Sequence, residues 1–190
     1  MDILSKLFGS GPRVRMVRLF LFNPEVIFEK DEIRRRAKVT PVQLRKELKI
    51  LADIGMIKTK SGKDKGKVWM LNPNWLLIGQ MRALLKADFL RRKQEFVRRF
   101  RNCGKINLLI VSGVFIEDED RRVDLLVVGD RLKKPVIDNI IKGVEADLGR
   151  ELNYSILETG DFEYRMNTSD KFVRDVLDYP HEKIINKLIL

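Results

Sequence analysis

Thr40-Pro41-Val42-Gln43-Leu44-Arg45-Lys46-Glu47-Leu48-Lys49-Ile50-Leu51 opens like a helix and then divides into one apolar and one basic face. Thr40 as cap, Pro41 at the first helical position and Gln43 three residues beyond the cap make a capping box, which satisfies backbone donors that a helix start leaves unpaired. Leu44, Leu48 and Leu51 recur at i, i+4 and i+7 and must share a buried face, whereas Val42, Gln43, Arg45, Lys46 and Lys49 project on the other side. An ordinary amphipathic surface helix shows the same split, so the flanking sequence decides between the two.

Upstream, Leu7-Phe8-Gly9-Ser10-Gly11-Pro12 reads as a flexible lead-in, with disorder expected in the first ten or so residues and Pro12 suited to a helix start. In Arg13 to Phe22, Val14, Val17 and Leu21 keep the spacing of one helix face. Asn23-Pro24-Glu25 ends that helix. Phe28-Glu29-Lys30-Asp31 leads into a short second helix through Ile33 and Ala37, and Lys38-Val39 is the tight turn before Thr40. Two helices, a turn and a third, capped helix give the helix-turn-helix order, whose last helix enters the major groove. Downstream, Gly55 closes the reading helix. Ile57-Lys58-Thr59-Lys60 and Lys67-Val68-Trp69-Met70 then alternate around a glycine-bearing tip, as a hairpin should. Lys58, Lys60, Lys63, Lys65 and Lys67 line this wing, suited to phosphates beside the reading helix; a solvated charged loop is the plainer alternative.

Residues 12 to about 75 resemble the winged helix of ArsR-like transcriptional regulators, through "Thr-Pro-x-Gln-Leu-x-x-Glu-Leu" followed by "Leu-x-x-x-Gly-Met-Ile-Lys". The resemblance implies sequence-selective binding to double-stranded DNA, generally as a homodimer on a two-fold site. On the reading helix, Val42, Gln43, Arg45 and Lys46 are the candidates for base edges; Thr40 lies on the same surface, and Lys49 joins the wing lysines on phosphates. The metal sensing of some such regulators is not supported, because one Cys and one His cannot make the usual sites, and no cofactor is expected.

Charge divides the chain of 190 residues. Residues 1–102 hold 25 Lys and Arg against 10 Asp and Glu, whereas residues 103–190 hold 13 against 17. The basic half predicts attraction to nucleic acid by counterion release, or to an anionic membrane surface. The single Cys103 allows no internal disulfide, which fits a reducing cytoplasm. No segment approaches the roughly 18 apolar residues of a membrane span, and Met1 to Pro12 lacks the pattern of a leader, so no membrane partner is expected.

Beyond Asn72-Pro73-Asn74, Trp75 to Leu85 reads as a helix with Leu76, Leu77, Met81, Leu84 and Leu85 apolar, a candidate for dimer contacts. Asp88 to Arg101 continues it, with Phe89, Phe96, Val97 and Phe100 on one stripe and arginines around it. From Lys105 the pattern becomes mixed α/β. Ile106 to Val111, Val123 to Val128 and Leu152 to Leu157 read as buried strands. Val136 to Leu148 is a helix ended by Gly149, and Phe162 to Met166, Phe172 to Leu177 and Ile184 to Ile189 are closing helices.

The order strand, Ser112-Gly113-Val114-Phe115, acidic loop, Arg122-Val123-Asp124-Leu125-Leu126-Val127-Val128-Gly129-Asp130, helix, strand resembles the minimal nucleotidyltransferase fold. In that family a Gly-Ser holds nucleotide phosphates and an Asp-x-Asp with a third carboxylate binds two metal ions. Here Val114, Arg122 and Asn153 stand where the serine, the first aspartate and the third carboxylate belong, leaving Gly113 and Asp124 as remnants. Catalysis by the family route is therefore not expected. Glu117-Asp118-Glu119-Asp120 reads as an acidic loop tip rather than a substitute ligand set, and Cys103 and His181 lack the setting of catalytic groups.

The expectation is an α+β chain with a winged helix over 1–75, a helical connector over 76–102 and a degenerate nucleotidyltransferase-like domain with a small mixed sheet over 103–190. Its expected function is that of a cytoplasmic, DNA-binding transcriptional regulator. The second domain would serve oligomerisation, nucleotide sensing or protein docking. An active nucleotidyltransferase acting on protein or RNA, and an RNA-binding module, are the alternatives.

Overall fold

The chain folds as α+β, described in a computed structural model over residues 3–61, 66–91, 95, 98–116 and 122–188. It divides into two compact units, residues 1–91 with 142–151 and residues 92–141 with 152–190.

The first unit departs from the expected irregular lead-in at its start. The lead-in is not irregular: α1 (Ile3–Leu7) forms a turn and a half of helix with Leu4 buried, and Ser10 then caps α2 (Gly11–Leu21) by accepting from the Arg13 amide at 3.2 Å. Burial of one leucine and a satisfied cap outweigh the glycines that suggested freedom. Helix α2 buries Val14, Met16, Val17, Leu19, Phe20 and Leu21, a broader contact than its three-residue stripe predicts. A two-residue strand, β1 (Phe28–Glu29), then leads into α3 (Lys30–Arg36), α4 (Pro41–Asp53) and the hairpin of β2 (Ile57–Ser61) and β3 (Lys67–Leu71). The sheet order is β1-β3-β2, antiparallel throughout, with Phe28 opposite Trp69 and Ile57 opposite Leu71. Phe28 also meets Phe20 edge to face at 5.5 Å, which fixes β1 over α2. Helix, strand, two helices and hairpin in this order make the winged-helix arrangement.

Helix α5 (Ile78–Arg91) starts later than its apolar run suggests. Trp75 is held before it, its indole N–H donating to the Ile54 carbonyl at 3.2 Å. Leu85 is buried, but Leu76, Leu77 and Leu84 are exposed. Of the expected continuation, the side chains of Phe89, Phe96 and Val97 lie outside the described residues, while Phe100 is buried in a short 3-10 turn, Phe100–Asn102.

One buried cation organises this unit. Arg18, 1% exposed, donates to Asp88 at 2.6 Å and to the Asp147 carbonyl at 2.7 Å, so α2 grips both α5 and the segment 142–151. Gly149, at φ +80°, lies against the Arg18 backbone so closely that any Cβ there would overlap it.

The second unit holds a four-stranded sheet of β4 (Lys105–Ser112), β5 (Leu125–Asp130), β6 (Tyr154–Glu158) and β7 (His181–Asn186), in the order β6-β5-β4-β7. β5 and β6 are parallel, joined through α6 (Lys134–Leu148); the other pairs are antiparallel. Leu108, Ile110, Leu126 and Val128 pack against Phe162, Val173 and Val176 from α7 (Thr159–Asn167) and α8 (Lys171–Asp178). The expected helix over 184–189 is instead the end of β7 up to Asn186, followed by irregular chain at residues 187 and 188; residues 189 and 190 lie outside the described ones. β4 is almost wholly buried, and pairing its second edge satisfies backbone groups that a helix there would leave orphaned. The Lys187 amide and ammonium continue that edge, donating to the Asn107 and Ile106 carbonyls. Among the described residues no helix is long and apolar enough to cross a membrane.

Candidate nucleic-acid interface

Helix α4 is clamped on one face and open on the other. The capping box is complete: Thr40 Oγ1 accepts from the Gln43 amide at 3.3 Å, and Gln43 Oε1 accepts from the Thr40 amide at 2.9 Å. Leu44, Leu48 and Leu51 are buried as their spacing predicts, each contributing roughly 1.5–3 kcal/mol. A fourth buried residue, Glu47, was not legible as such. It is 2% exposed and accepts from Ser10 Oγ at 2.7 Å and Arg13 Nε at 2.8 Å, a buried carboxylate satisfied by the cap and first turn of α2. Arg13 extends the network to the Phe8 carbonyl at 2.9 Å. A second brace holds the turn into α4. Arg15 donates to the Ala37 and Lys38 carbonyls at 2.8 and 3.2 Å, while Lys38 adopts φ +48°, a left-handed conformation at a non-glycine residue.

The opposite face carries the sequence candidates together. Thr40, Val42, Gln43, Arg45, Lys46 and Lys49 are all exposed, Val42 to 76%. One of them is already engaged in part. Oε1 of Gln43 accepts from the Thr40 amide with one of its two lone pairs, which ties the carboxamide to the helix start and leaves the second lone pair and the NH2 for a partner.

In the wing, β2 is exposed beyond Ile57 whereas β3 is half-buried from Val68 to Met70, with Ile57 and Leu71 the buried anchors at the base. Side chains alternate across a strand, and residues paired in register share a face. Lys58 and Lys60, opposite Met70 and Val68, therefore stand on one face, whereas Lys67, opposite Ser61, stands on the other. The three do not form one cationic row. Lys63 and Lys65 lie outside the described residues.

In the second unit, Gly113 takes φ +57° at the turn after β4. Asp124 is fully buried; its two oxygens accept from the Val114 amide at 3.1 Å and the Asn153 amide at 2.9 Å. The carboxylate thus ties the turn after β4 to the start of β6. Arg122 reaches Asp175 at 3.6 Å, and the tetrad Glu117–Asp120 lies outside the described residues. Burial pushes the Cys103 thiol up, against a smaller pull from Lys133, so it is no ready nucleophile. His181 begins β7, donating from Nδ1 to the Tyr179 carbonyl at 2.8 Å. Asp130 is held below the usual carboxylate range by hydrogen bonds from Thr159 and Asn107, with Lys105 adding to them at 3.7 Å.

No protein-family description matches the chain, and no curated protein matches it. Among solved structures, a mutant of ZitR from Lactococcus lactis in its apo form is similar at 19% identity, covering 51% of this chain and 75% of that one with a TM-score of 0.36. A likeness at that level establishes neither family nor function.

Proposed function

We propose that the chain is a sequence-specific DNA-binding transcriptional regulator, with α4 in the major groove and the β2–β3 hairpin as a wing beside it. The observation that carries this reading is the division of α4. Leu44, Glu47, Leu48 and Leu51 lock one face, while Val42, Gln43, Arg45, Lys46 and Lys49 are exposed together on the other. A helix fixed on one side can hold side chains in register with base edges, which a freely rotating basic helix cannot. Arg45 and Lys46 are assigned to base edges, Val42 to apolar contact such as a thymine methyl, and Lys49 with one face of the wing to phosphates. A two-fold homodimer belongs to the proposal, supported by the exposed Leu76, Leu77 and Leu84, which give a second copy an apolar surface to cover.

The second unit is assigned a non-catalytic role in oligomer contact, sensing or partner docking. This rests on its nucleotidyltransferase-like element order and on Asp124, whose carboxylate is turned to backbone amides and sealed from solvent. Two assays separate the readings. Affinity for duplex DNA at physiological salt should exceed that for structured RNA, and equal affinities would defeat the proposal in favour of an RNA-binding module. Labelled nucleotides with divalent metal ions should give no transfer; transfer abolished in Asp124→Ala would establish the enzymatic alternative instead.

A further inference from the structure

A cavity of about 160 Å³ opens in the first unit between the end of α3, the turn into α4 and residues 142–151. Leu19 forms its apolar floor, and five cations face two carboxylates around it. Part of that charge is already committed. Arg36 stacks over Phe28 and pairs with Glu32 and, at 3.9 Å, with Glu151. Arg35, Lys142 and Arg150 have no ion-pair partner among the described residues. Three unpaired cations around one cavity repel one another, an arrangement that an anion relieves.

We propose that this cavity binds a phosphate-bearing small molecule through one or two phosphoryl groups, with Arg35, Lys142 and Arg150 as the donors. Size and charge choose that class. A cavity of roughly 150 Å³ accommodates a group no larger than benzene, whereas drug-sized ligands occupy about 300–1,000 Å³. The cavity thus takes a compact head, and the rest of any larger ligand stays outside. The surplus of three positive charges suits a di- or trianion better than a single carboxylate, and guanidinium forks match phosphate oxygens. The occupant would touch α3 and the turn into α4 on one side and residues 142–151 on the other. Any effect on DNA affinity rests additionally on the function proposed above; the binding of the anion does not.

The test is calorimetric titration of the full chain with inorganic pyrophosphate at about 0.15 M salt, where exposed charges are well screened. Saturable binding is expected, weakened roughly tenfold or more in Lys142→Ala/Arg150→Ala and separately in the exposed Arg35→Ala, and unchanged in Lys171→Ala/Arg174→Ala, two exposed cations of α8. No saturation by about 1 mM, or equal binding by the wild-type chain and all three variants, would overturn the proposal. So would a loss of duplex affinity in the cavity variants without any pyrophosphate binding, which would make the cavity a seat for the DNA backbone.

Discussion

Replacing Glu47 tests how the proposed reading helix is held. Its side chain is 3% exposed and receives Ser10 Oγ and Arg13 Nε, while the Arg13 side chain is 26% exposed. Removing one partner of a fully buried pair costs about 3–5 kcal/mol, and an exposed pair contributes about 0–1 kcal/mol. Because Arg13 can turn toward water when its partner is lost but Ser10 and the emptied space cannot recover, Glu47→Ala should cost ~2–3 kcal/mol. Glu47→Gln keeps the shape and one acceptor, so ~1 kcal/mol is expected. Both tryptophans, Trp69 and Trp75, lie in residues 1–91, so urea unfolding followed by tryptophan fluorescence reports this unit alone. A double-mutant cycle with Arg13→Ala should give a coupling of ~1–2 kcal/mol. A loss below ~0.5 kcal/mol for Glu47→Ala, with no coupling, would refute the claim that this network fixes α4.

Gly149→Ala should lose ~2–5 kcal/mol, from overpacking on the Arg18 backbone together with the left-handed φ; chemical denaturation measures it, against Gly79→Ala in α5, which meets nothing and should gain ~0.5–1 kcal/mol. For Asp130 the folded carboxyl is depressed below its unfolded value, so its contribution is present above the ordinary carboxylate pKa of about 4 and is lost as pH falls through the folded value. Carboxyl NMR titration should find Asp130 low, and Thr159→Val should move it upward; an unchanged midpoint would contradict the assignment. In duplex binding, each phosphate-contacting lysine removed should lower the slope of log K against log salt by about 0.9. Lys58→Ala and Lys60→Ala should act alike and Lys67→Ala differently, whereas three equal effects would contradict the wing register.

The elements most legible in the sequence were those whose signals are local. Thr40, Pro41 and Gln43 announce a helix start by chemistry confined to four residues, and the leucine spacing of α4 names its buried face without knowledge of what covers it. What was missed depends on partners distant in the chain. Glu47 looks solvent-facing until Ser10 and Arg13 are brought to it. Arg18 interrupts an apolar stripe and reads as surface, because Asp88 and the Asp147 carbonyl lie 70 and 129 residues away. The strands β1 and β7 exist through edges of β3 and β4 supplied elsewhere; Ile184, Ile185 and Leu188 taken alone suit a helix equally well. At the candidate interface, the exposed face of α4 was foreseen, but the division of the wing lysines between two faces needs the strand register.

The central claim is that the open face of α4 reads sequence. Selection of genomic fragments with the purified full chain at near-physiological salt, followed by a footprint on the recovered DNA, tests it most directly. A discrete, roughly two-fold site is expected, lost in Arg45→Ala/Lys46→Ala at ~1–3 kcal/mol per base contact, while Lys49→Ala weakens binding to all sequences alike. Recovery of DNA with no preferred sequence, or a footprint indifferent to Arg45 and Lys46, would contradict it and reduce the basic half of the chain to general attraction for polyanions.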